Sequence, residues 1–207
     1  MGREIQWHIP ECGLTLPLSG PAFGGPLKSN VRHSSHNFGM LHIRQFQESD
    51  SIAELTSLLH RAYARLGNMG LNYTAVDQTP EVTAKRIRGG NCFVVEASSK
   101  LVGTIVAQPT YAENACEYFT RPGVAAAHQF AVDPEHQGAG IGRMLLQRAE
   151  LWAKESGFAE LAMDTAEQAT HLVELYARFG YKHVGWVQWP GKVYRSVVLS
   201  KRLATNA

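Results

Sequence analysis

Apolar and polar side chains alternate through "LHIRQF" (41–46), the spacing of a half-buried strand. The period then lengthens. "SIAELTSLLHRAY" sets Ile52, Leu55, Leu59 and Ala62 on one helical stripe, and Ser51 with Glu54 makes the capping-box pattern that opens such a helix. "TPEVTAKRI" predicts a second, shorter helix: Thr79 caps it, Pro80 fits the first helical position, Glu81 suits the positive end of the dipole, and Gly89 and Gly90 end it. "CFVVEA" and "LVGTIVAQ", separated by "SSK", read as an antiparallel hairpin.

Beyond a loop rich in Tyr and polar groups, "VAAAHQFAV" is a further strand and "RMLLQRAELWAKESG" a helix whose buried face holds Leu145, Ala149, Trp152 and Ala153. Gly157 stops it. "ELAMD" is a short strand, "HLVELYARFG" places Leu172, Leu175, Tyr176 and Phe179 at helical spacing before Gly180, and "YKHVGWVQW" and "YRSVVLSK" close the chain as strands. The order βααβββαβαββ predicts an α+β fold, a mixed central sheet flanked by helices. Residues 1–39, rich in Gly, Pro, Ser and His, show neither period and read as an N-terminal extension to a single domain over 40–204.

The remaining composition mainly excludes. Twenty basic and 18 acidic residues leave a formal net charge of +2 with no run of one sign, so neither a nucleic-acid nor a membrane-surface footprint is expected. Cys12, Cys92 and Cys116 are odd in number and lack paired spacing, which argues against a disulfide framework and for a reducing cytoplasm. The nine histidines are scattered and no H-E-x-x-H pattern occurs, so no metal is expected. No stretch approaches the ~20 apolar residues of a membrane span. The expected partners are small or neutral molecules; whether the protein forms a homodimer stays open.

"QGAGIG" (137–142) alternates three glycines immediately before a helix. Glycine lacks the Cβ that would hold a ligand off the main chain and reaches positive φ, so successive N–H groups can converge on an anion, helped by the helix dipole. A phosphate group is the natural guest. A P-loop requires Lys and Ser or Thr after its last Gly, but Arg143 and Met144 follow Gly142. A dinucleotide fold wants G-x-G-x-x-G directly after the first strand, whereas here the spacing is G-x-G-x-G, late in the chain.

The stretch "VDPEHQGAGIGRMLL" resembles the acetyl-CoA signature Q/R-x-x-G-x-G/A of the GNAT superfamily of N-acetyltransferases, with Gln137, Gly140 and Gly142 at its fixed places. The element order over 40–203 is similar to that family's acyl-CoA N-acyltransferase fold. The resemblance implies acetyl-CoA as cosubstrate, its pyrophosphate held by main-chain amides of Gln137, Gly138, Ala139, Gly140, Ile141, Gly142 and Arg143. It also implies that Phe130, Ala131 and Val132 pair with the pantetheine arm as a pseudo-strand. Many members carry an Asn seven positions before the motif Tyr; Ala169 stands there, which shifts the expected burden to main chain or to Thr165 and Gln168.

Transfer of acetyl to an amine sets three tasks. An alkyl ammonium with pKa near 10.4 must lose a proton. Period-two alternation puts His128 on the side of Phe130 and Val132, and a pKa near 6.5 suits it as a relay. Charge developing on the carbonyl oxygen needs an N–H already in place, for which a main-chain amide near Val132 is the candidate; family members commonly bulge the strand here. The departing thiolate needs a proton, and "LYARFGY" resembles the family stretch whose Tyr is often the general acid, which makes Tyr176 the candidate. A different reading keeps the phosphate cradle without productive chemistry, as an acyl-CoA-binding regulatory module. Acceptor specificity is expected from 66–78, from Tyr111 to Phe119 and from the strands near Trp186 and Trp189.

Overall fold

The computed structural model describes residues 40–204; the N-terminal extension read over 1–39 lies outside the described residues. Seven strands and four helices follow the predicted order. They are β1 (His42–Gln45), α1 (Ile52–Asn68), α2 (Pro80–Ile87), β2 (Asn91–Ala97), β3 (Lys100–Gln108) and β4 (Val124–Val132), then α3 (Ile141–Glu155), β5 (Glu160–Ala166), α4 (Thr170–Arg178), β6 (Lys182–Val187) and β7 (Ser196–Arg202). The strands form one mixed sheet in the order β1-β2-β3-β4-β5-β7-β6, in which only β4 and β5 run parallel.

Local chemistry accounts for most boundaries. Ser51 caps α1 by accepting from the Glu54 amide at 3.2 Å, but the Glu54 carboxylate does not reach back. It accepts from the Leu101 amide at 3.0 Å instead, so half of the expected box is spent tying α1 to the β2–β3 hairpin. Thr79 and Pro80 open α2 as expected. The hairpin turns on Ser98 and Ser99, both in the left-handed region that two-residue turns demand and usually assign to Gly or Asn. α3 begins two residues earlier than the apolar stripe suggests, because Gly140 at φ 81° ends the preceding turn and caps it.

Two apolar layers enclose the sheet. On one face, Leu55, Leu58 and Leu59 of α1 pack on Cys92, Val94 and Val106. On the other, Leu145, Leu146 and Ala149 of α3 and Tyr176 of α4 pack on Phe93, Ile105 and Leu161. Gly103 permits the close approach of α3, since a Cβ there would lie 2.8 Å from Ile141 Cγ2 and 3.0 Å from Leu145 Cδ1. Fully burying each such leucine contributes roughly 1.5–3 kcal/mol. Among the described residues no helix is long and apolar enough to cross a membrane, and no group of three or more His, Cys, Asp or Glu could hold a metal ion.

Candidate active site

The site begins where the two parallel strands part. β4 and β5 are paired only from Val124–Glu160 to Ala126–Ala162, and beyond that point both edges are open. At the same place β4 bulges. Thr104 pairs with Ala131 and Val106 with His128, so two residues, Gln129 and Phe130, oppose Ile105 alone, and Gln129 takes up the strain at φ 50°.

The bulge overturns the period-two reading of this strand. His128 faces the α1 side with Val106, whereas Phe130 and Val132 face the α3 side with Ile105 and Ile141. One extra residue reverses the parity of everything after it. His128 is largely packed in, and its Nδ1 is buried without a hydrogen-bond partner among the described residues. Burial, with a smaller contribution from the Arg86 charge, lowers its pKa to about 3, so the ring is neutral at pH 7.

Two tyrosines occupy the opening. Tyr63 of α1 donates to the Phe130 carbonyl at 3.1 Å. The Tyr73 hydroxyl accepts from the Ala166 amide on the β5 edge at 2.7 Å and lies 2.8 Å from Thr165 Oγ1. Their rings meet edge-on with centroids 5.5 Å apart. Each strand edge is therefore held by a phenol from outside the sheet, and Thr165, expected to be available to the coenzyme, already has a partner.

The glycine stretch follows β4 directly. Gly138 and Gly140 have φ of 84° and 81°, and a Cβ on either would meet nothing within 4 Å, so their backbone faces open space. Gly142 differs: its φ is not positive, and a Cβ there would stand 3.3 Å from Phe130 Cζ, which makes it a packing glycine. The amides of Ile141, Gly142 and Arg143 lie in the first turn of α3, whose ladder starts with Met144 donating to the Gly140 carbonyl at 3.1 Å. Gln137 Nε2 donates to the Val132 carbonyl at 3.3 Å, and Ala139 packs on the core. Asp133 anchors the loop from below, capping the turn at Glu135 and pairing with Arg61 of α1 at 2.7 Å. Arg143 is exposed and lies over the Phe179 ring at 5.6 Å.

Gly138 and Gly140, turned outward at the start of a fifteen-residue helix beside an open strand edge, make a cradle suited to a diphosphate with an extended arm. Residues 52–181 match the model of the acetyltransferase (GNAT) family. The chain belongs to the GNAT family of acetyltransferases. It is 29% identical over 163 residues to the S-(2-succino)cysteine N-acetyltransferase of Bacillus subtilis (strain 168), a match covering 76% of this chain and 92% of that protein. Its fold is similar to that of the Escherichia coli ribosomal-protein-S18-alanine N-acetyltransferase, with a TM-score of 0.62 at 15% identity, covering 81% of this chain and 97% of that one. It is also similar to a GNAT acetyltransferase from Elizabethkingia anophelis with acetyl-CoA bound, with a TM-score of 0.57 at 18% identity, covering 79% of this chain and 98% of that one. GNAT enzymes use acetyl-CoA and act on amine acceptors.

The aromatic and charged residues around the opening come from several elements. Tyr176 of α4 is 6% exposed, tilted against Phe130 at 6.1 Å and edge-on to Tyr181 at 6.3 Å. Burial holds its hydroxyl well above the usual pKa of 10, so it keeps its proton. On the α1 side, Tyr111, Phe119 and Trp189 assemble, with Phe119 and Trp189 stacked at 6.3 Å, whereas Trp186 is 54% exposed and pairs with His183 at 4.1 Å.

Two charged residues here escaped the sequence reading. Asp164 of β5 is largely buried, accepts from Trp189 Nε1 at 2.8 Å and has its pKa raised by that burial. Arg86 of α2 donates to Gln78 Oε1 at 2.8 Å. The signal for Asp164 was present, since an acid ending the apolar run "ELAM" is unusual; for Arg86, in an amphipathic helix, there was none.

Proposed function

We propose that the protein is an N-acetyltransferase that moves the acetyl group of acetyl-CoA to a primary amine by direct attack in a ternary complex. The observation that carries this reading is the union, at one point, of the β4–β5 opening, the bulge at Gln129 and the outward-turned Gly138 and Gly140. Acetyl-CoA would supply the activated thioester carbonyl. The amides of 137–143 would hold its pyrophosphate, and the Phe130–Val132 edge, whose carbonyls turn away from β3 to Tyr63 and Gln137, would hold its arm.

The proton balance assigns the side chains. The acceptor ammonium gives up one proton before attack, and His128 passes it on; an imidazole with a pKa of about 3 retains a proton only briefly, so it serves as a relay to solvent and not as a store. A main-chain amide near Val132 stabilises the charge on the carbonyl oxygen. As the C–N bond forms and the C–S bond breaks, Tyr176 protonates the leaving sulfur, and the second nitrogen proton restores the phenol. One proton is released per turnover.

The acceptor is a small amine, an amino acid or a peptide end. The B. subtilis relative named for S-(2-succino)cysteine puts amino acids first among these. Buried free thiols at Cys92 and Cys116 support a reducing, cytoplasmic setting. Thiol release from acetyl-CoA, measured across amines, polyamines, peptides and amino acids including S-(2-succino)cysteine, tests the reading. Turnover of at least one amine with stoichiometric N-acetyl product is expected; silence across the panel with acetyl-CoA still bound would overturn it in favour of a binding module.

A further inference from the structure

A guanidinium has five N–H donors in a planar fork and stays charged at all ordinary pH. That of Arg86 is turned into the protein, where burial lowers its pKa, yet among the described residues it forms no ion pair. Its hydrogen bond goes to a neutral amide, Gln78 Oε1 at 2.8 Å. The Asp164 carboxylate is close enough to act on this charge but does not reach salt-bridge contact. A cation withdrawn from water without a contacting counter-charge costs several kcal/mol in general, so the free side of the fork suits an anion.

The arginine is also held in place. Gln78, 4% exposed, donates through Nε2 to Thr83 Oγ1 at 2.6 Å and to Gln129 Oε1 at 2.9 Å, and Thr83 meets Thr56 at 2.8 Å. A buried amide and hydroxyl network thus fixes Arg86 to the β4 bulge, the point where the strands part. Through Gln78 the guanidinium is tied to Gln129, the neighbour of His128 in the bulge, which places it at the acceptor side of the opening. It stands on the α1 side of the sheet, whereas the glycine cradle opens from α3 on the other, so the anion it awaits is not the coenzyme diphosphate.

We propose that Arg86 binds a carboxylate of the acceptor, so that the amine acetylated is that of an amino acid or a close carboxylated analogue, held with its ammonium toward His128 and Asp164. This rests on the acetyl-transfer reading for the role of the cleft, but binding and turnover separate the two. Asp164 supplies the complementary negative end, and the Tyr111, Phe119 and Trp189 wall takes the side chain.

The test uses L-methionine, L-phenylalanine and S-carboxymethyl-L-cysteine, each as the free acid and as its α-carboxamide. They are offered to the full chain saturated with CoA for calorimetry, and with acetyl-CoA for thiol release. Wild type should bind at least one acid about 30-fold or more tighter than its amide, the scale of a charge-assisted hydrogen bond. In Arg86→Gln that ratio should fall to within threefold while CoA affinity holds, and Arg86→Lys, which keeps charge without the fork, should fall between; if Arg86→Gln does not fold, the lysine variant decides. Equal binding of acid and amide in all three pairs, absence of binding by every acid, or a ratio unchanged in the variants would overturn the assignment. Acid-selective binding without turnover would instead overturn the transfer reading and leave Arg86 in its role.

Discussion

The two sides of the β4–β5 opening are made from different materials. On the α3 side the working surface is main chain: two glycines at positive φ, the first turn of a helix, and a strand edge with its carbonyls turned outward. On the α1 side it is side chain, drawn from α1, α2, β4, β5 and the loops that carry Tyr73, Tyr111 and Trp189. On the function proposed above, main chain would recognise the coenzyme and side chains the acceptor. At Gly138 and Gly140 the first resists a side chain through its positive φ and not through lack of room, and the second is open to exchange of one group for another.

The largest effect should follow from adding bulk and charge to the cradle. Gly140→Glu forces a residue with a Cβ into φ 81°, at a cost of ~1–3 kcal/mol, and places a carboxylate at the helix start where the proposed diphosphate would sit. Acetyl-CoA affinity should drop on the order of 100-fold by calorimetry, with the melting curve lowered only by the backbone strain, roughly 2–4 °C per kcal/mol, since nothing packs within 4 Å of the new Cβ. Undiminished affinity in the folded variant would sink the main-chain account of that side. Gly142→Ala is the contrast: its Cβ would stand 3.3 Å from Phe130 Cζ, inside α3 where alanine is favoured over glycine, so it should change stability before affinity.

Next in size is Tyr176→Phe. The ring fills the same space against Phe130 and Tyr181, so only the proton donor is lost. A fall in kcat of about 10- to 100-fold is expected, with the coenzyme Kd within twofold; equal turnover by the variant would reduce Tyr176 to a packing residue.

How much of each side could be read from the chain follows from the same contrast. The cradle was legible because a main-chain site is written as spacing: Gln137, Gly140 and Gly142 stand at fixed intervals within one continuous stretch, although spacing did not tell the outward-facing Gly138 and Gly140 from the packing Gly142. Helix starts at Ser51 and Thr79 were legible for the same local reason. The acceptor side was not, because Arg86, His128 and Asp164 stand on three different elements, α2, β4 and β5. His128 was misplaced because a bulge leaves no composition signal; a left-handed Gln129 looks like any glutamine.

The buried network beneath Arg86 gives a smaller, structural effect. Gln78→Ala removes the partner of Gln129 Oε1 and of the Arg86 guanidinium at a site 4% exposed, while Thr83 keeps Thr56, so a stability loss of about 1–3 kcal/mol is expected in urea unfolding. A change within a few tenths of a kcal/mol would mean that the network does not hold the bulge.

The smallest effect separates the two sides by pH. His128 has a pKa of about 3 in the fold and near 6.5 when unfolded. Between those values the unfolded chain binds the extra proton, so stability is full above about pH 6.5 and falls as the pH drops toward 3, by at most ~1.4 kcal/mol per unit. Asp50, Asp133 and Glu160, whose pKa values are lowered by their partners, also lose stability on acidification, but they do so equally in wild type and in His128→Asn. The difference between the two proteins isolates the imidazole: it should be constant from pH 8 to 7, then shift in favour of the variant as the pH falls from 6 to 4.5. Parallel urea-stability curves over that range would show that His128 is solvated in the fold, and would remove the neutral ring from the acceptor side.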